Sequence, residues 1–205
     1  FKEEPLEFRP GEKYAYSANG FELLGAIIEK VTGKTYYEHV KENIFDKAGM
    51  VNTSFEADLG SAMGYTNKDD DGNPVLEDRR SNASINFIKA GAGGSGYSTV
   101  QDLLAFSQAL WDNKLLSPEM TQMATSPKVE IGTKNGETLY YGYGFHILKV
   151  GDVLRVGHGG EFFGVSARFD TYPSLKYTVV SLSNYDAPAA HRVAEKIKEL
   201  IMHRN

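Results

Sequence analysis

The sequence predicts an α+β fold, in which a helical region is followed by an antiparallel sheet and a C-terminal helix. Apolar residues recur at the 3.6-residue period of a helix before Pro127 and alternate with polar residues after it. The final segment, 189–203, returns to the helical period and would back one face of the sheet. We expect residues 1–127 and 128–205 to form two regions of one domain within a longer protein.

The first predicted helix spans 21–32. The turn signal Arg9-Pro10-Gly11 precedes it, Ser17 can serve as its N-cap, and Gly33 suits the position after its last turn. The residues predicted to form its buried face are Phe21, Leu24, Ile27, Ile28 and Val31.

A second helix and a long irregular segment follow. Thr35 and Glu38 have the spacing of a capping box, and the helix would stop near Gly49. Residues 51–97 are rich in Asn, Asp, Gly and Ser, which predicts a long excursion. Its glycine-rich stretch, 91–96, is not followed by the Gly-Lys-Ser/Thr of a phosphate loop, so we interpret it as structural.

Two further helices are predicted before the sheet. Thr99 and Asp102 can cap a helix that runs to about Asp112, and Ser117 with Pro118 can begin another. The inward residues of the first would be Leu103, Phe106 and Leu110.

Four strands are predicted for the sheet. Segments 141–150 and 153–158 flank Gly151-Asp152, which suits a two-residue hairpin turn. Residues 163–170 alternate like a half-buried strand, and 176–183 is β-branched and apolar, like a central strand. The terminal helix would place Val193, Ile197, Leu200 and Ile201 on its buried face.

The composition argues against several classes of partner. A net charge of −5 and a longest basic cluster of Arg79-Arg80 argue against nucleic acid. The absence of cysteine excludes disulfides, and no apolar run approaches the roughly 20 residues that cross a bilayer. No metal site is expected, because four of the histidines share no ligand spacing: His39, His146, His191 and His203.

One segment partly fits a calcium-binding loop. The residues at loop positions 1, 3, 5, 6 and 12 are Asn67, Asp69, Asp71, Gly72 and Asp78. Pro74 interrupts the loop and position 12 is Asp rather than Glu, so a solvated hairpin around 71–73 is favoured.

Tyr16 has two interpretations, one structural and one catalytic. With Ser17 as N-cap, Tyr16 and Phe21 occupy the positions of a hydrophobic staple. In the catalytic interpretation the Tyr16 phenol relays a proton, which requires a nearby cation because a phenol ordinarily titrates at about pH 10.

His158 also has two interpretations. It follows a predicted strand end and is flanked by glycines, so it could be incidental to a sharp turn. Functionally, Gly159 and Gly160 would let a substrate lie against the strand, whose N–H groups can stabilise an oxyanion.

Together these motifs resemble the serine β-lactamase-related family, which includes class C β-lactamases, DD-peptidases of the penicillin-binding type, and related esterases and D-aminopeptidases. The motifs occur in the family's order over nearly all 205 residues. The matching segments are Phe8-Arg9-Pro10-Gly11, Tyr16-Ser17, Leu23 to Gly33, Ile44-Phe45, Gly49-Met50, Gly93-Gly94, Tyr97-Ser98-Thr99, Asp102-Leu103, Leu115 to Pro118, Tyr141 to Phe145, Gly157 to Gly160, and Leu182-Ser183-Asn184.

The resemblance implies acyl transfer through a serine ester, in a crevice between the helical region and the sheet. Tyr16 would be the proton-transfer partner, His158-Gly159-Gly160 the strand motif, and the backbone N–H of Glu161 one oxyanion donor. It further implies a small-molecule or peptide substrate (β-lactam, D-amino-acid peptide or ester), no cofactor, and a periplasmic or secreted location.

Two departures from the family pattern bear on activity. No lysine has a serine three residues before it, so the Ser-x-x-Lys motif would lie upstream of Phe1, in a chain whose opening resembles mid-protein sequence. Ala18 stands where the family usually carries Asn, and Asn19 is turned about 100° around the helix. Asn19 could substitute for the family's Asn through an altered helix start.

Two hypotheses remain open. The first is the C-terminal portion of a serine hydrolase, whose N-terminal segment supplies the nucleophile and covers the first helix and one sheet edge. The second is a catalytically inactive ligand-binding or scaffold module of the same fold.

Overall fold

A six-stranded antiparallel sheet with helices on both faces forms the centre of the computed structural model. The structure describes residues 5–58, 60–75, 78–85, 89–134 and 136–203. Residues 1–4 lie outside the described residues. The expectation that the chain opens like mid-protein sequence rests mostly on them.

The strands follow one another in chain order across the sheet. They are β3 (Val129–Lys134), β4 (Glu137–Tyr141), β5 (His146–Val150), β6 (Val153–Phe162), β7 (Val165–Tyr172) and β8 (Tyr177–Ser183), after a short pair, β1 (Tyr65–Thr66) and β2 (Arg80–Ser81), in the excursion. The prediction of an α+β fold with an antiparallel sheet is confirmed.

The prediction that 141–150 forms one strand is wrong. Tyr141 ends β4, and His146 begins β5. Between them the amide of Gly142 donates to the carbonyl of Phe145, and Gly144 has a φ of 82°, so the chain reverses there. The alternation of apolar residues continued across this turn and concealed it.

Helix α1, Ala18–Thr32, begins and ends where its capping residues predict. The hydroxyl of Ser17 accepts the amide hydrogen of Gly20, and Gly33 ends the helix in the left-handed conformation, with a φ of 69°. Most of its predicted buried face is exposed within these residues, since Leu24 and Val31 are 52% and 79% exposed.

The buried residue of α1 is Gly25, which lies against the glycine-rich stretch. A Cβ on Gly25 would lie 2.7 Å from the Cβ of Ala92. The carboxylate of Glu22 accepts the amide hydrogen of Gly93 at 2.7 Å. The stretch 91–96 therefore holds the first turns of α1.

The second predicted helix is three consecutive segments. They are α2 (Tyr36–Val40), a π-helical turn (Lys41–Phe45) and α3 (Asp46–Ala48). The capping box of Thr35 and Glu38 is present, and Gly49 ends the run with a φ of 75°.

Helices α4 (Val100–Trp111) and α5 (Pro118–Thr125) follow the excursion. Thr99 caps α4 as predicted. Asp102 is 3% exposed, and its carboxylate accepts hydrogen bonds from the amide of Asn52 and the hydroxyl of Thr53. Asp102 therefore joins α4 to the segment after α3.

Helix α6, Ala189–Met202, packs on the sheet through a face that matches the predicted one only in part, since Ile201 and Ile197 lie in or against the core as predicted. Ala190 and Ala194 are each 1% exposed, whereas Val193 and Leu200 are 51% and 55% exposed. The small alanine side chains allow close approach, and the core beneath α6 contains Tyr172, Val179, Ala194 and Ile201.

Helices α4 and α6 lie on opposite faces of the sheet. On β7, the ring of Phe169 contacts Phe106 of α4, with centroids 5.8 Å apart. The next residue, Asp170, lies beside Arg155, which pairs with Glu195 of α6. Successive side chains of a strand point to opposite faces, so the two helices enclose β7.

The described part of the excursion contains no metal-binding cluster. The carboxylate of Asp69 accepts the amide hydrogens of Asp71 and Asn73, at 3.0 and 2.8 Å, as in an Asx turn. Across the described ranges, no group of three or more His, Asp or Glu residues could hold a metal ion. None of the described helices is both long and apolar enough to cross a bilayer.

Candidate active site

Five aromatic and imidazole rings meet where the start of α1 approaches the middle of the sheet. They belong to Tyr14, Tyr16, Tyr141, His146 and His158, and we call them the ring cluster. The centroid of Tyr16 lies 6.0 Å from that of His158 and 6.3 Å from that of Tyr141. Tyr14 contacts Tyr141 at 5.4 Å, and His146 stacks on His158 at 4.4 Å.

Tyr16 makes the contact that a staple requires and also faces the ring cluster. Its ring contacts Phe21 at a centroid distance of 5.9 Å, as a hydrophobic staple requires. The side chain is nevertheless 50% exposed and faces the ring cluster. The staple therefore orients the phenol without burying it.

Both ring nitrogens of His158 have partners within the protein. Nδ1 lies 2.7 Å from the carbonyl oxygen of Gly159, and Nε2 lies 3.1 Å from the hydroxyl of Tyr141. Burial lowers the pKa of His158, and this effect, reinforced by Arg168, outweighs the hydrogen bond to Gly159. His158 is therefore neutral at pH 7.

Tyr141 and His146 also favour their neutral forms. Burial, followed by the proximity of Tyr14 and Tyr16, raises the pKa of Tyr141 to about 12. Burial, together with the neighbouring His158, Arg168 and Arg155, lowers the pKa of His146 to about 4 against the opposing effect of Asp170. Tyr141, His146 and His158 are thus uncharged at neutral pH.

We expect His146 to make stability depend on pH between about 6.5 and 4. Its folded-state pKa is about 4, whereas an unfolded histidine titrates at about 6.5, so the unfolded state binds more protons in this window. The contribution is complete above about pH 6.5 and is lost as the pH falls toward 4.

Urea unfolding at pH 7 and pH 5 measures this effect. His146→Phe keeps a ring against His158 and should lose less stability than the wild type between the two pH values. The exposed His203, changed to Gln, is the control and should keep the wild-type difference. An unaltered difference in His146→Phe would contradict the assignment.

The second half of β6 has one open side. Within the described ladder, β5 pairs with β6 up to Gly157, whereas β7 pairs with it up to Phe162. A two-residue turn joins Phe162 to Val165, so these two residues exchange backbone hydrogen bonds. Along an antiparallel ladder, hydrogen-bonded pairs alternate with pairs that are not hydrogen-bonded, and Glu161 with Ser166 is a pair of the second kind. The amide of Glu161 therefore points away from β7, toward the open side.

The glycines of β6 have different surroundings. A Cβ on Gly157 would lie 2.8 Å from the Cα of Asp170 and closer still to the Phe169 carbonyl oxygen. One on Gly159 would lie 2.6 Å from Nε2 of His191, whereas one on Gly160 would meet no atom within 4 Å. Gly157 is thus required by backbone packing, and Gly160 leaves the strand accessible.

We expect Gly157→Ala to lower the free energy of unfolding by about 1–3 kcal/mol, because fixed backbone atoms occupy the space of the new methyl group. Gly160→Ala, three residues along the same strand, should change it by no more than about 0.5 kcal/mol. Chemical unfolding of both variants checks the pair, and equal losses would contradict the packing described for β6.

A buried charge network lies between β6, β7 and α6. Arg168 donates to both carboxylate oxygens of Asp170, at 2.7 and 2.9 Å, and Asp170 is 0% exposed. Arg155 lies 3.6 Å from the same carboxylate and pairs with Glu195. This network fixes α6 against the strand that carries His158.

The excursion holds the turn between β6 and β7. Asn82, 1% exposed, donates to the carbonyl of Phe163 at 2.9 Å and accepts the amide hydrogen of Gly64 at 3.2 Å. The carboxylate of Asp186 accepts the amide hydrogen of Gly164 at 2.8 Å. The turn that follows Glu161 is therefore fixed on both sides.

Not all of the predicted site residues meet. Tyr16 and His158 are neighbours, and Gly159, Gly160 and Glu161 continue along the same strand. Asn19 is exposed in the first turn of α1, and the contacts of the ring cluster, among the described residues, do not involve it.

Tyr141 and His146 could not be identified as site residues from the sequence. Tyr141 lies in a motif that matches the family, but neither its spacing nor its residue type indicated a partner. Their positions follow from strand register, since Tyr141 pairs with His146 and His146 pairs with Gly157, next to His158.

A comparison with protein families gives one match, in which the model of the Beta-lactamase family covers residues 1–201. Penicillin-binding protein 4* of Bacillus subtilis is 32% identical to this chain, over 91% of the chain and 43% of that protein. A D-aminopeptidase of Brucella anthropi is 23% identical, over 95% of the chain and 36% of that protein. The chain thus spans about two fifths of the length of these relatives.

Among solved structures, a penicillin-binding protein from Bacillus halodurans superposes with a TM-score of 0.85 and 29% sequence identity. The match covers 98% of this chain and 60% of that one.

Proposed function

Because this chain belongs to the Beta-lactamase family, we propose that it forms the C-terminal portion of a serine acyl-transfer hydrolase. The observation that carries this proposal is the approach of Tyr16 to His158, with ring centroids 6.0 Å apart. The two family motifs found in the sequence, Tyr16-Ser17 and His158-Gly159-Gly160, therefore converge on one crevice beside the open side of β6.

Tyr16 is the proton-transfer residue of the proposed reaction. The phenolate form of Tyr16, which the lysine stabilises, takes the proton of a serine hydroxyl as that hydroxyl attacks the substrate carbonyl. The bond from the carbonyl carbon to the leaving group then breaks, Tyr16 gives the proton to the leaving group, and an ester with the serine remains. Water then attacks the ester, and the serine recovers its proton. The serine and its lysine belong to a Ser-x-x-Lys motif outside these 205 residues. The ammonium group of that lysine is the cation that Tyr16 requires.

Glu161 supplies an oxyanion donor through its backbone. Its amide points to the open side of β6, so it can donate to the oxygen that becomes negative when the carbonyl is attacked. Gly159 and Gly160 let the substrate approach the strand, and Asn19 is the proposed substitute for the family's Asn, through a shift in the start of α1.

The substrates of the assembled enzyme are β-lactams, peptides of D-amino acids or esters. The relative named D-aminopeptidase supports the second of these classes. The neutral imidazoles of His158 and His146 distinguish this crevice from one with a fixed cation on the strand, and they suit a neutral carbonyl group.

An N-terminal segment of the same protein is the proposed partner of two uncovered apolar surfaces. One is the exposed face of α1, where Val31 is 79% exposed. The other is a cavity of about 430 Å³ between the edge strand β8 and α6, lined by residues that include Tyr177, Ile197 and Leu200. In this proposal residues 1–127 and 128–205 are two regions that the segment joins into one domain.

The test compares the whole protein that carries this sequence with residues 1–205 alone. Each is assayed with a chromogenic cephalosporin, D-amino-acid anilides and a nitrophenyl ester. We expect turnover of at least one class by the whole protein, none by residues 1–205, and recovery when the N-terminal segment is added. Turnover by residues 1–205 alone would contradict the proposed origin of the nucleophile.

The alternative is an inactive ligand-binding or scaffold module. Ala18, which cannot form the side-chain hydrogen bonds of the family's Asn, is the observation in its favour. An inactive module would bind a penicillin reversibly, whereas the proposed enzyme would retain it covalently.

A further inference from the structure

The two hydrogen bonds of His158 determine where its proton lies. A backbone carbonyl can only accept, so Nδ1 of His158 must donate to the oxygen of Gly159, 2.7 Å away. The neutral imidazole carries one N–H, which leaves Nε2 as an acceptor. The hydroxyl of Tyr141, 3.1 Å from Nε2, is then the donor.

We propose that Tyr141 is a positioning residue that fixes His158 in the neutral tautomer with the proton on Nδ1. This inference rests on the proposed function only for its effect on turnover. Tyr141 is 8% exposed and lies on the far side of His158 from the Gly159 carbonyl, so it acts through His158 and does not touch the substrate.

The fixed tautomer matters because of where the Gly159 carbonyl points. By the alternation of the β6–β7 ladder, the backbone of Gly159 points to the same open side as that of Glu161. The two residues are about 7 Å apart along the strand. A carbonyl oxygen without a donor would place partial negative charge beside the site where an oxyanion forms.

The Nδ1–H of His158 compensates that partial charge. With its proton on Nε2 instead, the ring would present a second acceptor to the Gly159 carbonyl, and both would repel a developing oxyanion. The hydrogen bond with Tyr141 favours the useful tautomer, because a phenol hydroxyl donates more strongly than it accepts, and it can donate to Nε2 only when that nitrogen carries no proton. His158 is thus an electrostatic support for the oxyanion site, with no free nitrogen for proton transfer.

The surroundings of His158 agree with a permanently neutral ring. The rings that contact it are the phenols of Tyr16 and Tyr141 and the imidazole of His146, and the charge of Arg168 acts on it without a contact. The charge of Arg168 disfavours protonation of His158, and Asp170 holds that guanidinium in place.

The test is ¹⁵N NMR of histidine-labelled whole protein, in which His158→Asn identifies the His158 signals. In the wild type we expect a protonated Nδ1 and an unprotonated Nε2 in a single tautomer. Tyr141→Phe removes only the hydroxyl. We expect it to produce a mixture of tautomers and to raise the titration midpoint of His158, because the neutral form loses a hydrogen bond.

Tyr143→Phe is the matched control. Tyr143 lies two residues away on the same turn and is 63% exposed, so its variant should keep the wild-type signals. A wild-type His158 protonated on Nε2 would overturn the inference. Unchanged tautomer and midpoint in Tyr141→Phe would also overturn it.

Kinetics add a second measurement. Tyr141→Phe should lower kcat by about three- to tenfold, the effect of one net hydrogen bond, with KM nearly unchanged. If the wild type turns over substrate and Tyr141→Phe leaves the NMR spectra of His158 unchanged, the role of Tyr141 is refuted and the proposed function is unaffected. A wild type without turnover would refute the proposed function, while the spectra would still decide the tautomer.

Discussion

Tyr16→Phe is expected to lower kcat of the assembled enzyme by about 10²–10⁴-fold, the range for a lost acid–base group. The variant keeps the ring, so the contact with Phe21 and the cap of α1 should survive. Only the hydroxyl that carries the proton is removed. Steady-state kinetics with a substrate that the wild type turns over, together with the thermal midpoint of each protein, measure the two effects separately.

Two variants serve as references for this result. Tyr185→Phe makes the same change at a tyrosine of similar exposure, 46% against 50%, and should leave kcat unchanged. His158→Ala should reduce kcat less than Tyr16→Phe does, because the amide of Glu161 survives the substitution. Wild-type turnover in Tyr16→Phe would leave Tyr16 with the structural role of a staple only.

Asp170→Asn is expected to lower the free energy of unfolding by about 3–5 kcal/mol, the cost of breaking a buried ion pair from one side. Asp170 is 0% exposed and compensates both Arg168 and Arg155. The substitution would leave Arg168 buried without its anion and Arg155 with Glu195 alone. Because these arginines lie between the sheet and α6, we expect the loss in the global unfolding transition. Urea unfolding at pH 7 measures it.

Asp70→Asn is the matched control for Asp170→Asn. Asp70 also pairs with an arginine, Arg80, but its side chain is 80% exposed. Water replaces the lost partner there, so the change should be below about 1 kcal/mol. Losses of equal size at the two positions would contradict the description of Asp170 as the centre of a buried network.

The ends of the elements near the site could be predicted because they depend on near neighbours. Ser17 and Gly33 bound α1 through bonds that span three and four residues. The capping box of Thr35 and Glu38 spans three residues as well. Such signals are complete within a short segment, so sequence alone is enough to read them.

Burial was harder to predict, because periodicity shows which residues share a face but not what covers that face. The apolar residues of α1 lie at helical spacing, yet Leu24 is 52% exposed. In α6 the alanines, with the weakest apolar signal, face the sheet because small side chains let the helix approach. Val193 and Leu200, with stronger signals, lie outside that contact.

The ring cluster could be predicted only in part. Tyr16 and His158 belong to recognisable motifs, whereas the bond between Tyr141 and His158 joins residues 17 positions apart. That bond depends on the turn after Tyr141 and on the register of β4, β5 and β6. Because the apolar alternation predicts a single strand through the turn after Tyr141, the hydrogen bond between Tyr141 and His158 could not be predicted from the sequence.

The most direct test of the acyl-transfer account is to locate the covalent intermediate. The whole protein that carries this sequence is treated with a fluorescent penicillin or a fluorophosphonate, and the labelled peptide is identified by mass spectrometry. The account predicts one labelled serine, with a lysine three residues after it, outside these 205 residues, and slower labelling by penicillin in Tyr16→Phe. A labelled serine within these residues, or no label with either reagent, would contradict it.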